Sequence, residues 1–230
     1  MNVTIIEHTP NPELTVALAA RLCYSPVSIN DLRAKLELSD IEQFLDKIMS
    51  LGHHSVLEHT SYTFGIEGIS RVTTHQLVRH RIASFSQQSQ RYVSHKDQFT
   101  SIMPDSIAEN VDAREIFAFM SETVHKAYAQ LVELGIPPED ARYILPNATE
   151  SKIIMTMNAR ELLHFFTLRC CQRAQWEIRE MAVEMLRLVR LTAPTIFREA
   201  GPGCIGGPCP EGQFCCGQTA EVREFFKSLE

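Results

Sequence analysis

Between Gly68 and Lys96 the chain carries no aspartate or glutamate, although its formal net charge is −6. That stretch holds Arg71, Arg79, Arg81, Arg91 and Lys96. Its centre reads Arg79-His80-Arg81-Ile82-Ala83-Ser84-Phe85-Ser86-Gln87-Gln88-Ser89-Gln90-Arg91. A basic island in an acidic chain must fold where its charges meet water, partner carboxylates or an anionic ligand. Arginine presents a planar fork of donors that fits phosphate oxygens two at a time, so a phosphorylated small molecule is one candidate. Residue type alone leaves a solvated basic face or a set of intramolecular ion pairs equally open.

The 230 residues suffice for one large domain or two small ones with a sizeable core. No apolar run is long enough to span a bilayer. The start, Met1 to His8, has neither a basic leader nor a long apolar segment, so no secretory signal is expected and the cytoplasm is the expected compartment. The acidic balance argues against nucleic acid as a partner. In a reducing compartment the seven cysteines are not read as a disulfide framework. Cys23, Cys170 and Cys171 lie in patterned segments and are expected in the core.

Elements of both kinds follow along the chain. Val3-Thr4-Ile5-Ile6 reads as a strand, ended by Thr9-Pro10-Asn11-Pro12. Helical periodicity covers Glu13 to Tyr24, a run beginning at Asn30-Asp31, and Ser39 to Leu51, with Ser39 as N-cap and Gly52 after the end. Thr60 to Ile69 alternates Tyr62, Phe64 and Ile66 with small or polar residues and reads as a strand. Ser70 then caps a helix leading into the basic island. If that helix continued, Arg79 and Arg81 would diverge by about 200°; in extended chain they would share a face. Ser84 to Tyr92 fits a strand or an irregular loop. A long helix is expected over Ser106 to Gly135, with Ile116, Phe119, Met120, Val124, Ala127, Tyr128, Leu131 and Leu134 on its apolar face. A short Pro-initiated helix includes Arg142 and stops before Pro146. Ser151 to Met157 reads as a strand, Asn158 as the cap of a helix from Ala159, and Ala174 to Leu191 as a further helix ended by Pro194.

Two clusters invite a metal reading. Gly52-His53-His54-Ser55-Val56-Leu57-Glu58-His59 lacks the spacing of the two-histidine helical zinc motif, so hydrogen-bonded histidines or groups facing a polar cofactor are preferred. Cys204, Cys209, Cys215 and Cys216 crowd a Gly/Pro-rich tail at spacings unlike the common zinc knuckles. Unbound thiols or a redox-sensitive pair are the other readings of the tail. No metal is assigned. Residues 1–200 are expected to form one catalytic domain and residues 201–230 an appended tail.

Arg79-His80-Arg81, seven residues, then Ser89-Gln90-Arg91 resembles the signature of the flavin-dependent thymidylate synthase family. Gly52-His53-x-Ser55-x-x-Glu58-His59 looks like that family's upstream flavin segment, and Ala141-Arg142-x-x-Leu145-Pro146 like its second arginine element. Asn158-Ala159-Arg160-x-Leu162-x-x-Phe165-x-x-Leu168-Arg169, followed by Ala174-Gln175-Trp176-Glu177-Ile178-Arg179, looks like its C-terminal signature. The resemblance runs from Gly52 to the end of the last core helix in the expected order. It implies an α+β fold, an antiparallel sheet flanked by long helices, and a homotetramer with active sites shared between subunits. It implies reductive methylation of dUMP to dTMP, with methylenetetrahydrofolate as one-carbon donor, FAD as hydride carrier and NADPH as reductant.

Carried over residue by residue, the family pattern sets FAD against His53, Ser55, Glu58, Arg79, His80, Arg81, Gln87, Asn158, Arg160 and His164. It sets dUMP against Gln76, Arg79, Gln87, Ser89, Arg91, Arg142 and Arg169. Arg169 is the catalytic candidate, stabilising negative charge on the pyrimidine N3–C2=O edge. Gln87 stands where some members have Glu, and His164 where some have Asn. Apart from the resemblance, Arg142 and Arg169 read as surface ion-pairing groups and Asn158 as a helix cap. A non-catalytic nucleotide-binding regulator and a zinc protein are the rival readings; flavin absorbance, tritium release from pyrimidine C5 and metal analysis separate the three.

Overall fold

The computed structural model describes residues 1–96 and 99–229. It is a mixed helix-and-sheet protein with a four-stranded antiparallel sheet, an α+β architecture. The strands are β1 (Asn2–His8), β2 (Ser61–Ser70), β3 (Ala83–Gln87) and β4 (Glu150–Asn158), in the order β1-β2-β4-β3. The chain forms two compact units, one of residues 3–65, 80–84 and 155–230 and one of residues 1–2, 66–79 and 85–154. No described helix is long and apolar enough to cross a membrane.

The first of these units holds helices α1 (Pro12–Leu22), α2 (Ile29–Glu37) and α3 (Glu42–Ser50) and a 3-10 turn His54–His59. It also holds α8 (Ala159–Arg169), α9 (Trp176–Thr192), α10 (Pro194–Phe197) and α11 (Thr219–Ser228), numbered here by their place in the whole chain. Alternation along β2 turns Tyr62 and Phe64 into the core, where Phe165, Phe166, Met181, Met185 and Phe197 are also fully buried. Tyr62 meets the Phe197 ring edge-on at 5.7 Å, and Phe166 does so at 6.1 Å. The side chain of Asn158 accepts the Glu161 N–H at 2.9 Å and so starts α8; Gln175 does the same for α9 through Glu177 and Ile178. On α9 the helical spacing of Ile178, Met181, Ala182, Met185, Leu186 and Val189 predicts one inward face, and all six are buried.

Four local expectations change. Ser39 does not cap α3; its hydroxyl donates to Leu36 O at the end of α2, and Asp40 accepts the Glu42 N–H instead. Cys23 is exposed and Cys171 half-buried, so of the three expected core thiols Cys170 alone is buried. Pro194 opens α10 as well as following α9, and Glu13 accepts the Thr195 N–H at 2.5 Å. The tail is packed rather than loose. Cys204, Val222 and Phe226 are buried, and Arg190 donates to the carbonyls of Phe197, Arg198, Ala200, Phe226 and Leu229.

The second unit holds α4 (Arg71–Leu77), α5 (Asp105–Ala108), α6 (Val111–Glu133) and α7 (Pro138–Ala141), followed by a 3-10 turn Arg142–Ile144. Ser70 caps α4 by accepting the Thr73 N–H at 3.3 Å. The helix stops before Arg79, and the segment Ser84 to Tyr92 is both strand and loop, since β3 ends at Gln87 and a turn follows. The long helix expected from Ser106 is divided, because Asn110 leaves helical geometry to cap α6 through the Ala113 N–H. The apolar face of α6 is largely solvent-facing. Tyr128 is buried, but Ile116 is 66% exposed, Phe119 68%, Met120 50% and Leu134 80%. Periodicity reports that a face is apolar, not which surface covers it.

Candidate functional site

In the unit that carries α8, one cavity of about 630 Å³ is lined by His54, Glu58, Ile82, Asn158, Arg160, Glu161, Leu163, His164 and Thr167. Four residues expected to face the flavin line it: Glu58, Asn158, Arg160 and His164. Arg160 forms an ion pair with Glu58, which ties the start of α8 to the 3-10 turn. His53 and Ser55 are exposed on the same turn, and Arg81 is exposed after it in the chain. Asn158 keeps its capping bond while lining the cavity, so its two readings coexist.

His80 lies behind this wall with 6% exposure. Arg169 Nε donates to His80 Nε2 at 3.0 Å. That makes Nε2 an acceptor and leaves the imidazole proton on Nδ1, which faces Glu161 Oε1 at 3.4 Å. The ring also meets Phe165 edge-on at 4.9 Å. Burial first, and then the charges of Arg169 and His164, push the His80 pKa down to about 4. Burial raises that of Glu161. The result is a fixed line Arg169–His80–Glu161 with a neutral imidazole at its centre.

The sign of the consequence for stability is set by linkage. As pH falls below 6.5, the ordinary histidine value, the unfolded chain takes up a proton that folded His80 refuses until about 4. Stability from this group is therefore complete above that range and declines through it by roughly 3 kcal/mol. Glu161 works in the opposite sense, since protonation relieves its burial. Urea unfolding between about pH 7 and about pH 4.5 is expected to show a steeper loss in the native chain than in His80→Gln. Parallel curves would contradict the buried neutral histidine.

In the other unit a second cleft, of about 330 Å³, is lined by Arg71, His75, Gln90, Arg142, Tyr143, Leu145, Pro146 and Asn147. Arg142 is the expected substrate residue among them. No acid belongs to the lining, and burial followed by the charge of Arg142 lowers the pKa of Arg71. Two guanidinium groups that disfavour each other's charge favour an anion between them. The remaining expected substrate residues of this unit sit apart from the lining. Gln87 donates to Ser151 Oγ at 3.0 Å, Ser89 accepts the Arg91 N–H at 3.1 Å, and Arg91 pairs with Glu139. Gln76 turns back to Val72 O in its own helix, and Arg79 is exposed.

Ile82, Glu161, Leu163 and Thr167 were not expected as lining, and His54 was weighed only within its cluster, as a metal ligand, a hydrogen-bonded histidine or a group facing a polar cofactor. A signal existed for part of this: Arg160, Leu163, His164 and Thr167 stand at i, i+3, i+4 and i+7 on α8 and share one face. Arg71 and His75, likewise missed, are four apart on α4. Among the described residues no three His, Cys, Asp or Glu side chains come together to hold a metal ion.

Both clefts are lined by arginine, histidine and amide side chains, donors whose chemistry suits anionic groups. Residues 4–195 match the family described as Thymidylate synthase complementing protein. Over 230 residues the chain is 62% identical to a flavin-dependent thymidylate synthase of Geobacter sulfurreducens, covering 100% of this chain and 99% of that one. It is 48% identical to a protein of the same name from Clostridium tetani, over 98% and 97% of the two chains. With one from Pyrococcus abyssi the figures are 44% identity over 100% and 98%. The chain belongs to the thymidylate synthase complementing protein family.

Proposed function

We propose that this chain is a flavin-dependent thymidylate synthase with the fold of that enzyme. It converts dUMP to dTMP, taking the one-carbon unit from methylenetetrahydrofolate and its reducing equivalents from NADPH through FAD. Residues 1–200 carry the catalysis, and the enzyme works in the cytoplasm. The observation that carries this reading is the gathering of Glu58, Asn158, Arg160 and His164 around one cavity. Its size lies within the range of small-molecule sites, and its imidazole, amide and guanidinium donors suit a phosphorylated, hydrogen-bonding cofactor. FAD, when bound, supplies hydride transfer. Arg160, His164 and Asn158 hold it, with His53, Ser55, Arg79, Arg81 and Gln87 as further contacts, and His80 stands behind the wall.

The dUMP phosphate and sugar are held by Arg142, Arg91, Arg79, Ser89, Gln87 and Gln76. Arg91 exchanges Glu139 for substrate oxygens, and Arg71 and His75 join the wall. Arg169 is held by neutral His80, so its guanidinium is oriented before substrate arrives. Its positive charge then stabilises negative charge on the pyrimidine N3–C2=O edge. Purified protein reconstituted with FAD is expected to show flavin absorbance and to release tritium from C5 of labelled dUMP when given methylenetetrahydrofolate and NADPH. Protein that takes up no FAD would overturn the enzyme reading; flavin without tritium release would favour the nucleotide-binding regulator.

The working enzyme is a homotetramer with shared active sites, and the bare face of α6 supports this. Ile116, Phe119 and Met120 expose apolar surface that a second copy would cover. Ile116→Asp together with Phe119→Asp is expected to yield smaller species in sedimentation at micromolar concentration. An unchanged tetramer would show that α6 is not the subunit contact.

A further inference from the structure

The tail thiols are used neither by the reading above nor by any metal site among the described residues. The segment between Cys209 and Cys215 is bent back on itself. Phe214 N–H donates to Glu211 O at 2.9 Å, Cys215 N–H donates to Gly212 O at 3.1 Å, and Gly212 takes a left-handed φ of 53°. This turn sets the Cys215 thiol close to that of Cys209, near enough for each to shift the other's pKa. Both are half-buried and reduced. The Gly217 N–H donates to Cys215 Sγ at 3.4 Å, and the Thr219 hydroxyl stands 3.9 Å from it. The Gly217 bond first, and then contact with Cys209, lower the Cys215 pKa, whereas Cys170 and Cys204 are raised by burial.

We propose that Cys209 and Cys215 are a dithiol modification site that hydroperoxides convert to an intramolecular disulfide. The Cys215 thiolate sulfur attacks a peroxide oxygen. The O–O bond breaks, leaving Cys215 sulfenic acid and expelling hydroxide, or alkoxide from an organic peroxide, which leaves as water or alcohol by taking up the proton that the Cys215 thiol had released. The Cys209 sulfur then attacks the sulfenic sulfur. The S–S bond forms, the S–O bond breaks, and the departing hydroxide leaves as water with the Cys209 proton. Two thiols lose two electrons and the peroxide gains them. Cys216 also touches Cys215, but Cα atoms of adjacent residues stand about 3.8 Å apart, below the usual disulfide span. Cys204 is buried, which withholds it from the oxidant.

Gly203 lies between the tail turn and a residue that lines the larger cavity. A β-carbon added at Gly203 would come 2.8 Å from Pro210 Cγ and 3.6 Å from Thr167 Cγ2, so the residue following Cys209 packs toward a side chain that lines the cavity.

The test uses the reduced full-length chain, near-equimolar hydrogen peroxide, blocking of remaining thiols with a maleimide, and mass mapping. Cleavage after Arg198, Glu211 and Arg223 separates Cys204 and Cys209 from Cys215 and Cys216. The two fragments are expected to remain joined until dithiothreitol is added. The link is expected to vanish in Cys209→Ser and in Cys215→Ser and to persist in Cys204→Ser and Cys216→Ser. Fragments still joined in Cys215→Ser, a link that needs Cys204, or oxidation confined to Cys23 or to unlinked sulfinic acids would each overturn the assignment. The wild-type map stands whether or not a variant folds.

Discussion

Arg169→Ala is expected to lower dTMP formation at least about a hundred-fold while FAD stays bound. The side chain lies in the last turn of α8 and donates through Nε to His80 Nε2 at 3.0 Å. His80 is itself fixed by Glu161 at 3.4 Å and by the Phe165 ring. A guanidinium anchored at Nε cannot swing freely, and positioned charge is what electrostatic catalysis requires. Arg169→Lys retains the charge but not the planar fork, so it should recover only a small part of the rate. A basic residue at a helix C-terminus also opposes the macrodipole, an effect worth about 0.3–1 kcal/mol of stability and nothing in turnover. Flavin absorbance and tritium release, read on the same preparation, separate these roles. Full activity in Arg169→Ala, or flavin lost in step with activity, would remove Arg169 from catalysis.

Legibility in the sequence followed how local each determinant is. Asn158 and Gln175 start α8 and α9 where their cap chemistry places them, and the stripe from Ile178 to Val189 is buried as its spacing requires. Ser39 offered the same chemistry but was taken by Leu36 O, because Asp40 lies nearer the first helical N–H. The α6 stripe was legible as apolar, but its exposure was not, since that depends on surfaces outside its own pattern. In the candidate site, Glu58, Asn158, Arg160 and His164 emerged from the family resemblance, whereas Glu161 did not, standing in the first turn of α8 where a capping role is the local reading. Its carboxylate faces His80 instead, and no window of sequence contains both residues as neighbours. The order of the tail was missed for a similar reason: beside the bonds that Arg223 makes within it to Cys204 O and Gly207 O, what holds it is one arginine upstream.

That arginine, Arg190, carries the other large expected effect. Its Nε donates to Phe197 O at 3.1 Å, one terminal nitrogen to Phe226 O and Leu229 O at 2.8 Å each, and the other to Arg198 O and Ala200 O at 3.1 Å each. All five guanidinium donors are thereby used, on carbonyls at the ends of α10 and α11. Burial lowers its pKa, but from the very high range of a guanidinium, so the cation persists at neutral pH. Arg190→Ala strands these acceptors, and each buried carbonyl left without a partner costs about 1–3 kcal/mol. Water relieves the more exposed ones, so the net loss in unfolding free energy is expected at about 3–5 kcal/mol. Arg190→Lys offers three donors from a single point and should fall between. Denaturant titration gives the total, and hydrogen exchange gives its distribution. The amides of α11 are expected to exchange faster than those of α9 in the Ala variant, because the tail loses its only five-fold anchor among the described residues while Val222 and Phe226 alone remain buried on that helix. A loss below about 1 kcal/mol with unchanged α11 exchange would mean that apolar burial of Val222 and Phe226, rather than the arginine clamp, fixes the C-terminus.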